Sequence, residues 1–165
     1  MPEITIRAAT TPEDVATVRN LMQAYGDHLT THPSGAASIC LEGYARELER
    51  LPEGYATLLI ATVDGKPAGC VALRSLKREN RSCEMKRLWV SQGFRGLGLG
   101  QRLLAEAIAW AEQAGYIAIY LDTVPAAMPE ANRLYKNVGF LPAERYNQSN
   151  IPDLVFFCKS LVTKT

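Results

Sequence analysis

The chain has 165 residues, of which 47% are hydrophobic. That is enough for one sizeable core and too few for two comfortable ones, so a single domain over residues 1–165 is expected. Lys and Arg number 18 against 17 Asp and Glu, a formal charge of +1, which leaves no global field to hold nucleic acid or an anionic membrane and points instead to a small-molecule or local peptide partner.

Cys40, Cys70, Cys83 and Cys158 are scattered without metal-ligand spacing, so no metal is expected and the thiols suit a reducing cytoplasm. The N-terminus "MPEITIRAAT" lacks an apolar leader, and no stretch reaches membrane-spanning length, so a soluble cytoplasmic protein is expected. Oligomeric state, a homodimer included, stays open.

In chain order, "EITIRAA" alternates like an edge strand, and Thr11 as N-cap before Pro12, Glu13 and Asp14 opens a helix running towards Tyr25. "GDHLTTHPSGAAS" reads as a loop and "CLEGYARELERL" as a second helix ended by Pro52. "ATLLIATV" and "PAGCVALRSL" flank Asp64-Gly65, a strong hairpin signal. "SCEMKRLWV" is the next strand. After it, "SQGFRGLGLG" leads into a helix from about Gly98 to Ala114, with Leu99, Leu103, Ala107 and Ala111 in one row, Leu104 and Ile108 beside it, and Gly115 at its end. "YIAIYLDT" is a continuous apolar run, as in a buried parallel strand, and the strand-helix-strand order makes "SCEMKRLWV" its parallel neighbour. "PEANRLYKNVGF" predicts a helix with Pro129 in its first turn and Gly139 at its end, and "LPAERYN" and "LVFFCKSL" are the final strands. The order is mixed α/β, antiparallel first and parallel in the middle.

The glycine stretch lies at the carboxyl end of a parallel strand, where open α/β sheets bind ligands. Gly96, Gly98 and Gly100 let successive N–H groups converge on an anion without a Cβ in the way, the following helix adds a partial positive charge at its N-terminus, and Arg95 supplies a full one. A diphosphate fits this arrangement. A tight turn with no ligand is the alternative.

The pattern Arg95-x-x-Gly98-x-Gly100 after a strand, with "LYKNVGF" downstream, resembles the acyl-CoA-binding signature of the GNAT superfamily of N-acyltransferases, and the resemblance covers roughly Ile4 to Leu161. It implies a mixed sheet of about seven strands with a central, splayed parallel pair, flanked by about four helices. It also implies acetyl-CoA as co-substrate and a primary amine, small-molecule or peptide, as acceptor, attacking directly in a ternary complex. Arg95, Gly96, Leu97, Gly98, Leu99, Gly100 and Gln101 would cradle the pyrophosphate. Leu88, Trp89 and Val90 would hold the pantetheine arm, with the Leu88 amide facing the thioester carbonyl. One departure is Met128, which stands where the family often has Asn and is a poor N-cap. Asn132 is expected to take over part of that residue's role.

The same resemblance makes Glu84 the general base and Tyr135 the acid that reprotonates the leaving thiolate. Two-residue strand periodicity puts Glu84 on the face of Leu88, though a strand glutamate paired with Lys86 or Arg74 is the alternative. With a reference pKa of about 4.3, Glu84 would need burial or a water relay to serve as base. For Tyr135 the alternative is a core aromatic. Cys83 neighbours Glu84 and faces the other way, a buried bystander. His28 and His32 read as surface histidines, with substrate contact left open.

Two rival functions remain. A dinucleotide-binding oxidoreductase would use the glycines and Asp122 on the ribose, but the spacing G-x-G-x-G puts Gln101 in the third glycine's place. A noncatalytic acyl-CoA sensor on the same fold would need neither Glu84 nor Tyr135. The acceptor is expected beside the first two helices and "YNQSNIPD", with Asp27, Glu42 and Asp153 as acids that would favour a cationic amine.

Overall fold

The computed structural model describes residues 1–31, 33, 41–76, 81–149, 151 and 153–161. His32 and Cys40 lie outside the described residues, as does the side chain of Glu42. Seven strands, β1 (Ile4–Ala8), β2 (Thr57–Val63), β3 (Lys66–Leu76), β4 (Ser82–Val90), β5 (Ala118–Thr123), β6 (Leu141–Ala143) and β7 (Val155–Ser160), form one sheet in the order β1-β2-β3-β4-β5-β7-β6. Among the described residues four α-helices flank it: α1 (Pro12–Leu29), α2 (Leu41–Arg50), α3 (Leu99–Gln113) and α4 (Pro129–Asn137). The β4–β5 pair is parallel and the others are antiparallel, the mixed sheet expected from the sequence.

Strands β2 and β3 are buried on both faces, and their alternation sorts side chains into two cores. Leu58, Ile60, Cys70 and Ala72 pack with Val18 and Met22 of α1 and Tyr44 and Leu48 of α2. Leu59, Ala61, Val71 and Leu73 pack with Leu103, Leu104, Ala107 and Ala111 of α3 and Tyr135 of α4. Each fully buried leucine of α3 contributes roughly 1.5–3 kcal/mol of burial free energy, which fixes that helix and the loop leading into it. The hairpin turn falls at Asp64-Gly65, with φ of 49° and 79°, the paired positive values of a type I′ turn.

Helix α1 opens on a capping box. Asp14 N–H donates to Thr11 Oγ1 at 3.1 Å, the N–H groups of Thr10 and Thr11 donate to the Asp14 carboxylate, and Arg7 grips that carboxylate with two bonds of 2.8 Å. The helix runs a turn beyond the expected end at Tyr25, through Gly26 to Leu29. Gly26 reads as a loop signal but is a contact residue: a Cβ there would stand 2.7 Å from the Tyr44 ring, so the glycine lets α1 and α2 approach closely. Strand β6 stops at Ala143 rather than near Asn147, because beyond it the chain turns inward to bring Tyr146 to Glu84 and Asn147 to Asp122.

Two irregularities shape the centre of the sheet. Strands β4 and β5 pair at Ser82↔Ala118, Cys83↔Ile119 and Glu84↔Tyr120, and the ladder ends there. On the other side of β4, two steps along β3 from Cys70 to Ala72 match three along β4 from Trp89 to Lys86, a bulge centred on Arg87, whose φ is 63°. The Cys70 thiol donates to the Arg87 carbonyl at 3.6 Å. The bulge reverses the alternation: Cys83 and Met85 enter the α3 core, then Leu88 does, while Trp89 enters the α1 core. Glu84 and Leu88 therefore point to opposite faces, and the expectation that they share one is corrected by the extra residue between them.

Candidate active site

The gap left by the splayed strands opens into two cavities. The first, of about 380 Å³, is walled by Leu88, Trp89 and Val90, the glycine loop, and the start of α4 from Met128 to Ala131. The second, of about 360 Å³, lies between the diverging strands and α1 and α2, where Tyr25, Tyr44, Glu47, Lys86, Arg87 and Asp122 face it. Leu88, Ala127 and Met128 line both, so the two meet at the splay.

The loop has the geometry of an anion cradle. Gly96 and Gly98 have φ of 88° and 76°, a left-handed backbone that costs other residues roughly 1–2 kcal/mol, and Gly98 is the N-cap of α3. The first backbone bond into the helix is Arg102 N–H to the Gly98 carbonyl at 3.1 Å. Among the described residues no acceptor meets the six consecutive N–H groups from Gly96 to Gln101. Gly100 has a packing reason besides, since a Cβ there would stand 3.1 Å from Leu134 Cδ1 of α4. Arg95 lies over the Trp89 ring at 5.3 Å, with its Nη1 3.8 Å from the exposed Glu130 carboxylate.

Leu88, Trp89, Val90, Arg95, Gly96, Gly98, Leu99, Gly100 and Gln101, all expected at the cofactor, are brought together on the first cavity. Leu97 is 39% exposed and outside the lining. Asn132 is buried and lines neither cavity; its Nδ2 donates to the Met128 carbonyl at 2.8 Å and to Thr123 Oγ1 at 3.0 Å. It holds the start of α4, where Met128 provides no side-chain cap, and its position gives no support to the expected contact with the cofactor. His28 lines the first cavity with its ring 5.1 Å from that of Trp89, and the Trp89 indole N–H is buried without an acceptor among the described residues.

Tyr135 lines the second cavity beside Leu88. Its ring packs on Phe140 and Phe157, and its hydroxyl has no hydrogen-bond partner among the described residues. Burial, then the neighbouring Tyr25 and last the charge on Asp122, push the phenol pKa up. Glu84 lines neither cavity and is fully buried. Its Oε1 takes Arg74 Nη2 at 2.6 Å and Nε at 2.7 Å, and its Oε2 takes the Tyr146 hydroxyl at 2.5 Å. Arg74 is the strand partner that sequence left as one alternative, and any part for Glu84 in proton transfer has to run through a relay.

The acids on the second cavity are Glu47 and Asp122. Asp27 and Asp153 do not line it. Glu47 holds Arg87 through bonds of 3.0 and 2.8 Å; burial works against its charge, but those bonds and the arginine's charge win and lower the carboxyl pKa. Asp122 accepts from Asn147 Nδ2 at 2.6 Å and is turned to this cavity rather than to the glycine loop, which removes the residue on which the dinucleotide reading rested. Sequence missed Glu47, Lys86 and Arg87 as cavity residues because their place depends on the bulge and on α2. A charged Lys-Arg pair late in an otherwise buried strand was the available signal.

The acetyltransferase (GNAT) family model matches residues 20–140. An uncharacterised N-acetyltransferase of Schizosaccharomyces pombe is 34% identical over 158 residues, covering 93% of this chain and 92% of that protein. An acetyltransferase of the GNAT family from Staphylococcus aureus Mu50 superposes with a TM-score of 0.77 at 20% identity, over 97% of this chain and all of that one. The Salmonella typhimurium protein yncA, solved with its cofactor acetyl-CoA, superposes with a TM-score of 0.68 at 20% identity, over 98% of this chain and 95% of that one.

Proposed function

The chain belongs to the GNAT family of acetyltransferases, and we propose that it transfers the acetyl group of acetyl-CoA to a primary amine by direct attack while both are bound. The observation that carries this reading is the meeting of two cavities at Leu88, one ending on the unpartnered N–H groups of Gly96 to Gln101 and the other lined by Tyr135. The residues present fit acetyl-CoA. Six consecutive N–H groups without acceptors among the described residues, a helix N-terminus and Arg95 suit a pyrophosphate, and the Leu88 and Val90 backbone, freed from β5 by the splay, suits an amide-bearing arm running alongside as an added strand. The buried Trp89 indole is one more donor on that wall. Acetyl-CoA supplies an activated acyl carbon and a thiol leaving group.

Each remaining role falls to a residue of the chain. The Leu88 N–H donates to the carbonyl oxygen as negative charge develops there. Tyr135, whose raised pKa keeps its proton in place at working pH, donates a hydrogen bond to the departing sulfur. Glu84 would receive the amine's proton only through a relay that begins at the Tyr146 hydroxyl. The nitrogen–carbon bond forms as the carbon–sulfur bond breaks, and the proton leaving nitrogen balances the one the thiolate takes up.

Among the described residues no cysteine lines either cavity, so a covalent acetyl-cysteine route has little to work with there. Burial pushes the thiols of Cys70 and Cys83 up to about 12, so neither supplies appreciable thiolate near neutrality. The test is a panel of primary amines incubated with acetyl-CoA while free thiol is followed and the acetylated amine is weighed by mass spectrometry. Thiol release that depends on an amine is expected. No release with any amine, despite acetyl-CoA binding, would favour an acyl-CoA sensor.

A further inference from the structure

Glu84 and Tyr120 form the last rung between β4 and β5. Two residues further on, before the bulge at Arg87 disturbs the alternation, β4 carries Lys86 and β5 carries Asp122 on the same face of the diverging strands. Both line the second cavity, one on each lip of the gap. Had the ladder continued, they would be opposed neighbours at pairing distance. The splay holds them apart, and no ion pair joins them among the described residues.

The other charges of this cavity are committed. Arg87 is held by Glu47 through two bonds, and Arg74 by Glu84. Lys86 is half-buried and has neither a hydrogen bond nor an ion pair among the described residues. Asp122 has the Asn147 amide as its hydrogen-bond partner there. Among the described residues three cations, Arg74, Lys86 and Arg87, line the cavity against two acids, Glu47 and Asp122, with Glu84 buried behind Arg74, so it is no sink for a polycation. What it lacks is a partner for one cation and one anion held at a fixed separation. Burial and the charge on Arg87 depress the Lys86 pKa against the opposing pull of Glu84 and Asp122, a net penalty that a bound anion would offset. Asp122 lines the same cavity as Tyr135 and Leu88, so the acidic lip faces the space that leads to the reacting end.

We propose that the acceptor is a free amino acid or similar zwitterion, its ammonium group set against Asp122 beside Tyr135 and Leu88 and its carboxylate held by Lys86. This rests on the acetyl transfer proposed above and narrows its acceptor. Polyamines and aminoglycosides carry no carboxylate for Lys86 and would set further cations against Arg74 and Arg87.

The test compares a panel of amino acids with the carboxamide of each, which keeps the amine and removes the negative charge, at matched free-amine concentration. A charge-assisted contact of this kind predicts roughly a ten- to hundred-fold higher kcat/KM for the amino acid. Lys86→Met should bring that ratio to within a few-fold and Lys86→Arg should restore most of it, with acetyl-CoA affinity, measured by calorimetry, reporting that each variant is folded. Amines that turn over with no preference for the carboxylate, or a preference that survives in Lys86→Met, would overturn the proposal while leaving acetyl transfer standing. If no amine turns over, the transfer reading fails, and titration of the same pairs into the protein saturated with CoA still decides this one. Tighter binding of the amino acid that depends on Lys86 supports it, and equal or absent binding overturns it.

Discussion

Tyr135 and Glu84 follow from one resemblance and are both buried, but Tyr135 lines a cavity whereas Glu84 lines none and has both carboxylate oxygens engaged. The Tyr135 hydroxyl reaches the second cavity without a partner among the described residues, so Tyr135→Phe removes no internal hydrogen bond and keeps the ring against Phe140 and Phe157. Because the phenol pKa is raised, the proton stays largely on oxygen and the contribution is one hydrogen bond to a developing thiolate. The expected fall in kcat is then roughly 10- to 100-fold, less than the 10²- to 10⁴-fold typical of full proton transfer, with the acetyl-CoA dissociation constant moved no more than a few-fold. Steady-state kinetics and calorimetry on the variant check both numbers. Glu84→Gln tests the other assignment. Both carboxylate oxygens are engaged, so lower stability in chemical denaturation is expected, and with the relay cut at Glu84 the rate should fall most at low pH and recover as free amine accumulates. A rate that falls evenly across pH would make Glu84 a structural partner of Arg74 and Tyr146 only.

At the scale of elements, the segments with their own local signals were legible in the sequence. The capping residues of α1, the Asp64-Gly65 turn, the apolar row of α3 and the parallel run of β5 stand where residue chemistry put them, and the loop residues that wall the first cavity belonged to a local pattern of glycines. Features that depend on a distant neighbour were not legible. Gly26 serves contact with Tyr44 rather than a turn, and the bulge at Arg87 exists only against β3, yet it decides which face every later residue of β4 presents. The loop is tested by separating backbone conformation from bulk. Gly98→Asn tolerates the left-handed backbone better than Gly98→Val, which adds strain at φ 76°. Both place a side chain where the anion approaches, so both should weaken acetyl-CoA binding, whereas thermal denaturation should show the larger loss of stability for Val. Equal acetyl-CoA affinity in a folded Gly98→Asn protein would remove the loop from the site. At the start of α1, the bond from Arg7 and those from Thr10 and Thr11 depress the Asp14 carboxyl pKa. A carboxyl depressed in the folded state adds stability that is complete above its unfolded value of about 3.9 and is lost as pH falls below it towards the folded value. Urea titrations should therefore show wild type more stable than Asp14→Asn at neutral pH, the difference closing as the solution is acidified below that value. Thr11→Ala should cost about 1 kcal/mol through the lost cap.

Over the whole molecule, one topological fact makes the site: a parallel pair pairs for three rungs and then diverges, so that two cavities meet at Leu88, Ala127 and Met128. An acyl donor reaching in along the glycine loop and an amine coming from the α1–α2 side would face each other there, and among the described residues no cysteine lines either cavity. A donor site and an acceptor site that fill independently require both substrates to be bound before the bond is made. The most direct measurement is initial velocity with acetyl-CoA and a competent amine varied against each other, together with thiol release from acetyl-CoA alone at stoichiometric protein. Reciprocal plots that intersect, and no burst of thiol until amine is added, are the expected result. Parallel lines with one equivalent of thiol released in the absence of amine, and an acetyl group found on the protein, would contradict it.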